Sequence, residues 1–494
     1  MSDDAAAANV VRGRIRFQDD QEMTMRLCPE LKQFYQDHSL DVSKLTTSSS
    51  LSSPWRFVRL NPRFDTTETL ELLRKELVDH VIDKNKNHTT TIAATATRTE
   101  QEPLAVPWLD SCWAFYALPG SFSLASSTCY RSGRIYGMDI SSGAGIAALL
   151  TNVHDQKTAT TNTTTTSSDD KTEIRVLDLC TCPGLKLLTM ADYFYQMSAS
   201  TTSNKSTKVK VVGVDINSSR MDKCKAIVQK YWVDSASPHQ SSAGGTANND
   251  VVVQLHLADG TTFGGPAYDT EESLVFDSRV AIEERGERGE RKRLNKSARA
   301  RHRKRLRQIA NVEGMRPETN GDDDTVTNTN PSFIEKFDYV LVDAECSTDG
   351  SFKHIRERIK AEHDSSTTVH QEENRLLTDQ AKLADLVALQ KKLIESGFRL
   401  LKPGGSMVYS TCSLSEEQNE KVVSWLLETK KDAFLIPIHF PSIMQSEFVT
   451  EGTLKGTVRF YPNLVDDTTS EPTLLGDGFF ASKLGKCIGA SYEQ

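Results

Sequence analysis

Strand-like and helical segments alternate along the chain from residue 174 onward. Short apolar runs, each typical of a buried strand, lie at Ile174–Leu179, Val209–Asp215, Val251–Ala258, Phe337–Asp343 and Met407–Thr411. Helical patterns follow four of these runs, at Leu185–Gln196, Ser219–Trp232, Thr378–Leu401 and Glu416–Leu427. Later strand-like runs near Phe434–Ile438 and Gly478–Ala481 indicate an antiparallel edge. The alternation predicts an α/β fold, with a Rossmann-like and mostly parallel sheet covered by helices on both faces.

Polar, low-complexity segments interrupt this pattern. They lie at His88–Arg98, Asp155–Asp170, Ser198–Thr207 and Asp234–Asp250, and the longest covers about 263–332. Such segments hold too little apolar surface to offset the entropy lost on ordering, so we interpret them as disordered insertions at loop positions.

The N-terminal region has a different pattern. A strand-like run at Trp55–Asn61 precedes a helical segment at Thr66–Asp79, and an aromatic-rich segment follows at Trp108–Phe122. We therefore predict a small α+β domain over residues 1–122, ahead of a larger domain over residues 123–494.

The bulk composition excludes several classes of protein. No apolar run is long enough to span a bilayer, and the N-terminus resembles neither a secretory signal nor a transit peptide. The nine cysteines are an odd number without regular spacing, which favours reduced thiols. Cys180 and Cys182 have no second pair at zinc spacing, so we expect no metal site. These features predict a cytoplasmic, nuclear or nucleolar protein.

The ends of three successive strands indicate a nucleotide-type cofactor. Gly184 allows close approach of the backbone, and the helix after it offers N–H groups. Asp215 could accept both ribose hydroxyls, and Asp259 could reach an adenine amino group. The absence of GxGxxG disfavours a dinucleotide, so S-adenosylmethionine is the natural candidate, although a glycine turn and two acids can also be ordinary loop chemistry. The candidate cofactor residues are Cys180, Thr181, Cys182, Pro183, Gly184, Leu185, Lys186, Asp215 and Asp259.

Two cysteines stand where predicted strands end. Cys346 lies in FDYVLVDAECSTDGS, and Cys412 lies in LKPGGSMVYSTCSLSEEQNE. In an open α/β sheet this position is the rim where ligands bind. Two thiols at the rim beside a cofactor suggest covalent chemistry on an electrophilic ring, whereas buried and inert thiols are the alternative.

Three motifs resemble a known family, the RNA cytosine-5 methyltransferases of the Sun/Nop type. LDLCTCPGLKLL is similar to that family's DLCAAPGxKTxxL cofactor loop, and FDYVLVDAECSTDGS to its DxVLxDxPCSxxG segment. LLKPGGSMVYSTCSLSEEQNEKVV is similar to its LLKPGGxLVYSTCSxxxxENExVV signature. Two positions differ, because Glu345 stands where the family has proline and Gln418 where it has the first glutamate of ENE.

The resemblance implies a class I methyltransferase fold and a role for each site residue. Cys412 would be the nucleophile, Cys346 would assist product release, and Asp343 would contact the target base and the cofactor. The substrate would be ribosomal or transfer RNA, bound by a monomer that needs neither metal nor membrane. A catalytically silent RNA-binding or ribosome-assembly factor with this fold is the alternative. A DNA cytosine-5 methyltransferase is disfavoured, because the proline before Cys346 and an ENV motif after it are absent.

Clustered cations indicate where RNA could bind. The segment Arg285–Arg307 is densely basic within a chain of net charge -8. It could contact RNA phosphates, act as a nuclear or nucleolar targeting signal, or be a solvated helix. Arg56, Arg59 and Arg63 are further candidates for phosphate contact, and we interpret residues 1–122 as an RNA-binding type of domain.

Overall fold

The structure is a computed structural model, and it describes a defined part of the chain. The described residues are 36, 55–86, 102–109, 113–150, 173–200, 207–235, 250–265, 268–288, 296–314, 336–351, 354, 379–438, 440, 443–444, 448–461 and 476–488.

A four-stranded antiparallel sheet forms the N-terminal part. Its strands are β1 (Trp55–Leu60), β2 (Leu104–Ala105), β3 (Phe115–Pro119) and β4 (Ile135–Gly137), in the order β2-β3-β1-β4. Helix α1 (Thr66–Lys86) packs against it through Leu73 and Leu77, and a short helix, α2 (Thr128–Arg131), follows β3. Because β4 pairs with β1, the sheet continues past the boundary that we predicted at residue 122.

The second sheet has ten strands and carries the predicted strand ends. Its strands are β5 (Ile174–Asp178), β6 (Val209–Asp215), β7 (Val251–Leu257), β8 (Leu274–Asp277), β9 (Phe337–Asp343), β10 (Leu401–Thr411), β11 (Ala433–Ile436), β12 (Val449–Glu451), β13 (Val458–Phe460) and β14 (Phe479–Lys486). The order is β12-β13-β14-β10-β9-β5-β6-β7-β8, with β11 also pairing with β14. Strands β10, β9, β5, β6 and β7 are parallel. The order reverses between β5 and β9, and in such sheets ligands bind beyond the carboxyl ends of the strands at this point.

Helices cover both faces of this sheet. They are α3 (Ile140–Leu150), α4 (Leu185–Ser200), α5 (Ser218–Val228, continued by a π-helical turn at Gln229–Val233), α6 (Thr270–Ser273), α7 (Ser278–Arg288), α8 (Lys296–Gly314), α9 (Gln380–Leu400) and α10 (Glu420–Thr429). Alternate residues of one strand enter opposite cores: Leu341 of β9 packs with α3, α4 and α5, whereas Val340 and Val342 pack with α9 and α10. The α/β prediction is therefore confirmed.

Part of the segment that we interpreted as a disordered insertion is ordered. Within residues 263–332, β8 pairs antiparallel with β7, and α8 buries Ala298, Leu306 and Ala310. The interpretation was wrong for residues 268–288 and 296–314, because the few apolar residues of α8 share one face while arginine dominates its composition. His88–Arg98 and Asp155–Asp170 lie outside the described residues, as do most of the other two segments.

Two of the three candidate RNA-binding arginines are buried. Arg59 is 0% exposed and Arg63 is 7% exposed. Each donates to Asp192 of α4 at 2.6 Å, so they join the N-terminal sheet to the larger domain. Our prediction of phosphate contact was wrong for these two, because a carboxylate on a neighbouring element satisfies them. Arg56 is exposed. In the described ranges, no helix combines the length and apolarity needed to cross a bilayer.

Candidate active site

The structure brings most of the predicted site residues to one edge of the large sheet. The loop after β5, the end of β6, the end of β9 and the turn after β10 meet there, because these strands are adjacent and parallel. Direct contacts join Cys182 to Asp215, Lys186 to Asp343, and Cys346 to Cys412. Asp259 is more peripheral: it is exposed after β7, and its carboxylate accepts hydrogen bonds from Thr261.

The loop from β5 to α4 packs tightly against β6. The N–H of Thr181 donates to Val214 O at 2.9 Å, and the N–H of Cys182 donates to Asp215 Oδ2 at 3.3 Å. Gly184 has φ +100°, and a Cβ there would lie 2.5 Å from Cys224 Sγ. Only glycine fits this position, and it sets the direction in which α4 leaves the loop.

Asp215 closes the other side of this loop. Its side chain is 5% exposed, and its Oδ1 accepts the Asn217 N–H at 2.9 Å. Arg220 lies 3.7 Å from Asp215 Oδ2 and donates to Cys182 O at 3.1 Å. A carboxylate has about four acceptor positions, so these contacts leave capacity for a ligand hydroxyl.

Asp178, at the end of β5, is a site residue that the sequence analysis missed. Its Oδ2 accepts a hydrogen bond from Thr181 Oγ1 at 3.0 Å, whereas its buried Oδ1 has no hydrogen-bond partner within the described residues. Burial raises the pKa of Asp178 to about 7. A buried acceptor without a donor is unusual in folded proteins, so Asp178 Oδ1 is a candidate to accept a hydrogen bond from a ligand.

A partly buried cation connects the loop to the end of β9. Lys186 Nζ lies 2.6 Å from Asp343 Oδ2, and Ser410 of β10 donates to Asp343 Oδ1 at 2.8 Å. Burial opposes the charged form of Lys186, but the carboxylate of Asp343 overcomes this effect, and the net result is a raised pKa. The side chain of Asp343 is 25% exposed, so a substrate can reach it.

The two predicted catalytic thiols are in contact. Cys346 Sγ lies 3.3 Å from Cys412 Sγ, and both residues are half-buried and free of disulfides. The hydrogen bond to Cys346 and burial raise the pKa of Cys412, whereas Lys186 acts in the opposite direction. The contact with Cys346 and burial therefore disfavour the thiolate of Cys412, and the nearby cation favours it.

A buried polar network holds the two thiol-bearing segments together. Gln418 Oε1 accepts the N–H of Ser347 at 3.0 Å, and Gln390 Nε2 donates to Glu345 O at 2.8 Å. The N–H of Gly350 donates to Cys412 O at 2.9 Å. A Cβ on Gly350 would lie 2.8 Å from that oxygen, so glycine is needed for the close approach. These contacts fix the position of the Cys346 segment relative to the turn that carries Cys412.

The described residues contain no cluster of three or more histidine, cysteine, aspartate or glutamate side chains that could hold a metal.

The C-terminal part of the chain is similar to known proteins. Residues 289–485 match the family model described as 16S rRNA methyltransferase RsmB/F. The ribosomal RNA small subunit methyltransferase F of Erwinia tasmaniensis is 32% identical over 156 residues, which are 32% of this chain and 27% of that protein. The protein of the same name from Vibrio vulnificus is 35% identical over 154 residues, 31% of this chain and 26% of that protein. The matched regions thus cover about a quarter of these relatives.

Two solved structures from one organism match the chain at a low level of similarity. A methyltransferase homolog protein from Pyrococcus horikoshii has a TM-score of 0.41 at 17% identity, covering 94% of this chain and 100% of that one. NSun6 from the same organism, solved with SFG, has a TM-score of 0.44 at 14% identity, covering 94% and 99%. Likeness at this level says nothing about function. The family match covers residues 289–485, less than half of the chain, and this part contains the motifs around Cys346 and Cys412.

Proposed function

We propose that this protein transfers a methyl group from S-adenosylmethionine to carbon 5 of a cytosine in RNA, through a covalent bond between Cys412 and the base. The observation that carries the proposal is the thiol pair, with Cys346 Sγ 3.3 Å from Cys412 Sγ. The pair adjoins the Lys186–Asp343 ion pair at the carboxyl ends of β9 and β10. A nucleophile, a second thiol, a cation and a carboxylate are thus assembled at one place.

The residues around the β5 loop fit the cofactor. Asp178 Oδ1, buried and without a partner in the described part of the chain, would accept a hydrogen bond from the cofactor's ammonium group. Asp215 would accept the ribose hydroxyls, Asp259 would face the adenine, and the loop Cys180–Lys186 would enclose the chain between them. When bound, S-adenosylmethionine would supply an electrophilic methyl group on a sulfonium sulfur.

Covalent addition makes the base reactive. Carbon 5 of cytosine is a poor nucleophile until a thiolate adds to carbon 6. In the proposed step Cys412 Sγ bonds to carbon 6, and the thiol proton ends on N3 of the base. Asp343 accepts a hydrogen bond from that N3–H, while Lys186 stabilises the thiolate before it adds. Carbon 5 then carries the electron density needed to take up the methyl group, whose bond to the sulfonium sulfur would break with its electron pair left on that sulfur.

Release requires a second base. The proton on carbon 5 must leave so that the ring double bond can reform as the carbon 6–sulfur bond breaks. Cys346 in its thiolate form, whose own proton has gone to solvent, or a water that Cys346 orients, takes this proton. Cys412 departs with the bonding electrons and recovers the proton from N3. The contact between the two thiols supports this assignment, because both must act on adjacent carbons of one ring.

The test compares variants of three cysteines, using labelled cofactor and a cytosine-containing RNA. Cys412→Ala should abolish incorporation, with a loss of at least about a thousandfold, as expected for a nucleophile. Cys346→Ala should accumulate a protein–RNA adduct that migrates slowly on denaturing gels. Cys487, which is exposed beyond β14, provides the control, and Cys487→Ala should behave as wild type. Equal labelling by the wild type and the Cys412 variant would exclude this mechanism.

The substrate class follows from the relatives' names. Both relatives are named as ribosomal RNA small subunit methyltransferases, so we propose ribosomal RNA first and transfer RNA second. Bisulfite mapping of RNA from cells that lack the protein would identify the lost 5-methylcytosine and the compartment of its RNA. We also propose that the domain before the large sheet contacts this RNA, with the exposed Arg56 as its first candidate residue.

A further inference from the structure

Helix α8 has one apolar face and one strongly basic face. Its apolar face packs Leu306 and Ala310 against Leu274 of β8 and Val280 of α7, and Ala298 is also buried. Its exposed cations are Lys296, Arg299, Arg301, Arg303, Lys304 and Arg307. The fold therefore holds in place a row of cations that the sequence analysis assigned to a disordered segment.

A groove of about 670 Å³ runs along this helix. Arg299, Arg303 and Arg307 line one wall, and they share a face because they are four residues apart. Residues Leu274–Phe276 of β8 line the other wall, with Lys225 of α5 beside them. Glu271 and Glu272 of α6 also line the groove, so its charge is mixed but predominantly positive.

Some cations of the groove form ion pairs with carboxylates of the protein, and others do not. Arg307 lies 3.4 Å from Glu271, and Lys225 lies 3.3 Å from Asp222. Arg299 and Arg303 have no ion pair within the described residues. These two guanidinium groups offer planar forks of N–H donors, which suit phosphate oxygens.

The groove lies at the same edge of the sheet as the candidate active site. Leu274, the first residue of β8, pairs with His256 near the carboxyl end of β7, and Ser273 of α6 contacts the same histidine. Five strand spacings separate β10, after which Cys412 lies, from β8 in the order β10-β9-β5-β6-β7-β8. At about 4.8 Å each, the groove is roughly 24 Å from the end of β10 along this edge. An RNA that holds one base at Cys412 can therefore reach it with flanking nucleotides.

We propose that the α8 groove binds the phosphodiester backbone of the RNA that flanks the target cytosine. The inference rests on the proposed function for the identity of the RNA, but not for the binding itself. Arg299 and Arg303 would each contact a phosphate, with no preference for sequence. Because such contacts release counterions, binding would weaken steeply as salt concentration rises.

The experiment uses the full-length protein and polyuridylate, a single-stranded RNA without cytosine. The variant Arg299→Gln/Arg303→Gln removes two cations while keeping good helix formers, and circular dichroism checks that it folds. The matched control, Lys431→Gln/Lys455→Gln, removes two exposed cations near β11–β13 at the opposite edge of the sheet. The groove variant should bind polyuridylate on the order of tenfold more weakly, and its plot of log affinity against log salt should be shallower by about 1.4, or about 0.7 per lost contact. The control should match wild type.

A second measurement separates this surface from the active site. Methylation of a long transcript should lose apparent affinity in the groove variant, whereas methylation of a trinucleotide with a central cytosine, which is too short to reach the groove, should be unchanged. Wild-type affinity and salt dependence in the groove variant would overturn the proposal and leave the cations to another role, such as nuclear import. If the wild type binds polyuridylate through the groove but methylates no RNA, the proposed function fails while this inference stands.

Discussion

Gln418 Nε2 donates a 2.8 Å hydrogen bond to Ser347 Oγ, and its Oε1 accepts the Ser347 N–H at 3.0 Å. Gln418 is fully buried in the turn after Cys412, and Ser347 directly follows Cys346. One amide side chain therefore couples the two thiol-bearing segments. Gln390 of α9 extends this connection, because its Nε2 contacts Gln418 Oε1 at 3.3 Å.

We expect Gln418→Leu to impair the reaction step more than ligand binding. An apolar side chain of similar size would leave the Ser347 N–H without its acceptor, at a cost of about 1–3 kcal/mol in the free energy of unfolding. The Cys346 segment would then lose its position relative to Cys412, so kcat should fall about tenfold or more. Single-turnover methylation and urea unfolding measure the two effects separately.

Two comparisons show whether Gln418→Leu acts by displacing the Cys346 segment or by destabilising the whole fold. Lys421→Ala changes an exposed residue on α10 and should alter neither stability nor kcat appreciably, since surface pairs contribute about 0–1 kcal/mol. The affinity of the Gln418 variant for S-adenosylmethionine should stay close to wild type. A fall in cofactor affinity equal to the fall in kcat would contradict a positioning role.

Asp178→Asn should change how the stability of the ligand-free protein depends on pH. The folded-state pKa of Asp178 is about 7, whereas the pKa of an ordinary aspartate is about 3.9. Between these values the folded state binds a proton that the unfolded state has lost, so the free energy of unfolding falls as pH rises through this window. Above it, a buried charge lowers stability. Asparagine removes the titration, so urea unfolding of the variant should vary less between about pH 5 and pH 8.

The same carboxylate should make cofactor binding depend on pH. If the ionised Asp178 accepts a hydrogen bond from the cofactor's ammonium group, binding by wild type should be tighter above about pH 7 than below it. Titration calorimetry of wild type and Asp178→Asn measures this. Parallel pH profiles for the two proteins would mean that Asp178 does not contact the charged group.

Much of the fold could be predicted because the central strands are buried on both faces. Val209–Asp215 and Phe337–Asp343 are apolar almost throughout, and the structure gives them the same bounds. Helix α8 could not be predicted in this way, because its packing uses three small or apolar residues within a strongly basic sequence. Strand β8 was missed for a similar reason, since a strand of four residues has too few positions to show a period.

The candidate site was predictable in part. Strand ends identify where a ligand binds, and this pattern predicts that Cys346, Cys412 and Asp343 lie at one edge of the sheet. The sequence does not show that Asp178 Oδ1 is a buried hydrogen-bond acceptor without a donor. Asp178 was therefore missed, although it directly precedes the cofactor loop. The roles of Gln390 and Gln418 depend on two distant segments meeting, which spacing along the chain does not reveal.

Arg59→Ala should destabilise the attachment of the N-terminal sheet. Arg59 is fully buried, donates to Asp192 at 2.6 Å and donates from Nε to Trp113 O at 3.0 Å. Removing one member of a buried ion pair leaves the other charge incompletely compensated, which typically costs about 3–5 kcal/mol. Urea unfolding should show this loss. The control is Arg56→Ala, which changes an exposed arginine on the same strand. Its free energy of unfolding should stay within about 0.5 kcal/mol of the wild-type value.

Lys186→Met should make Cys412 less reactive towards alkylation. Lys186 is the group that lowers the pKa of Cys412, and its removal also leaves the carboxylate of Asp343 to oppose the thiolate. Both effects raise the pKa of Cys412, so a higher pH should be needed to reach a given rate of reaction with iodoacetamide. Mass spectrometry of the Cys412 peptide follows this rate without any dependence on RNA or cofactor. Lys186→Arg keeps the positive charge and should retain most of the wild-type reactivity, which separates charge from side-chain shape. If the methionine variant shows the wild-type pH profile, Lys186 does not stabilise the thiolate, and the nucleophile must be activated by the bound RNA or cofactor instead.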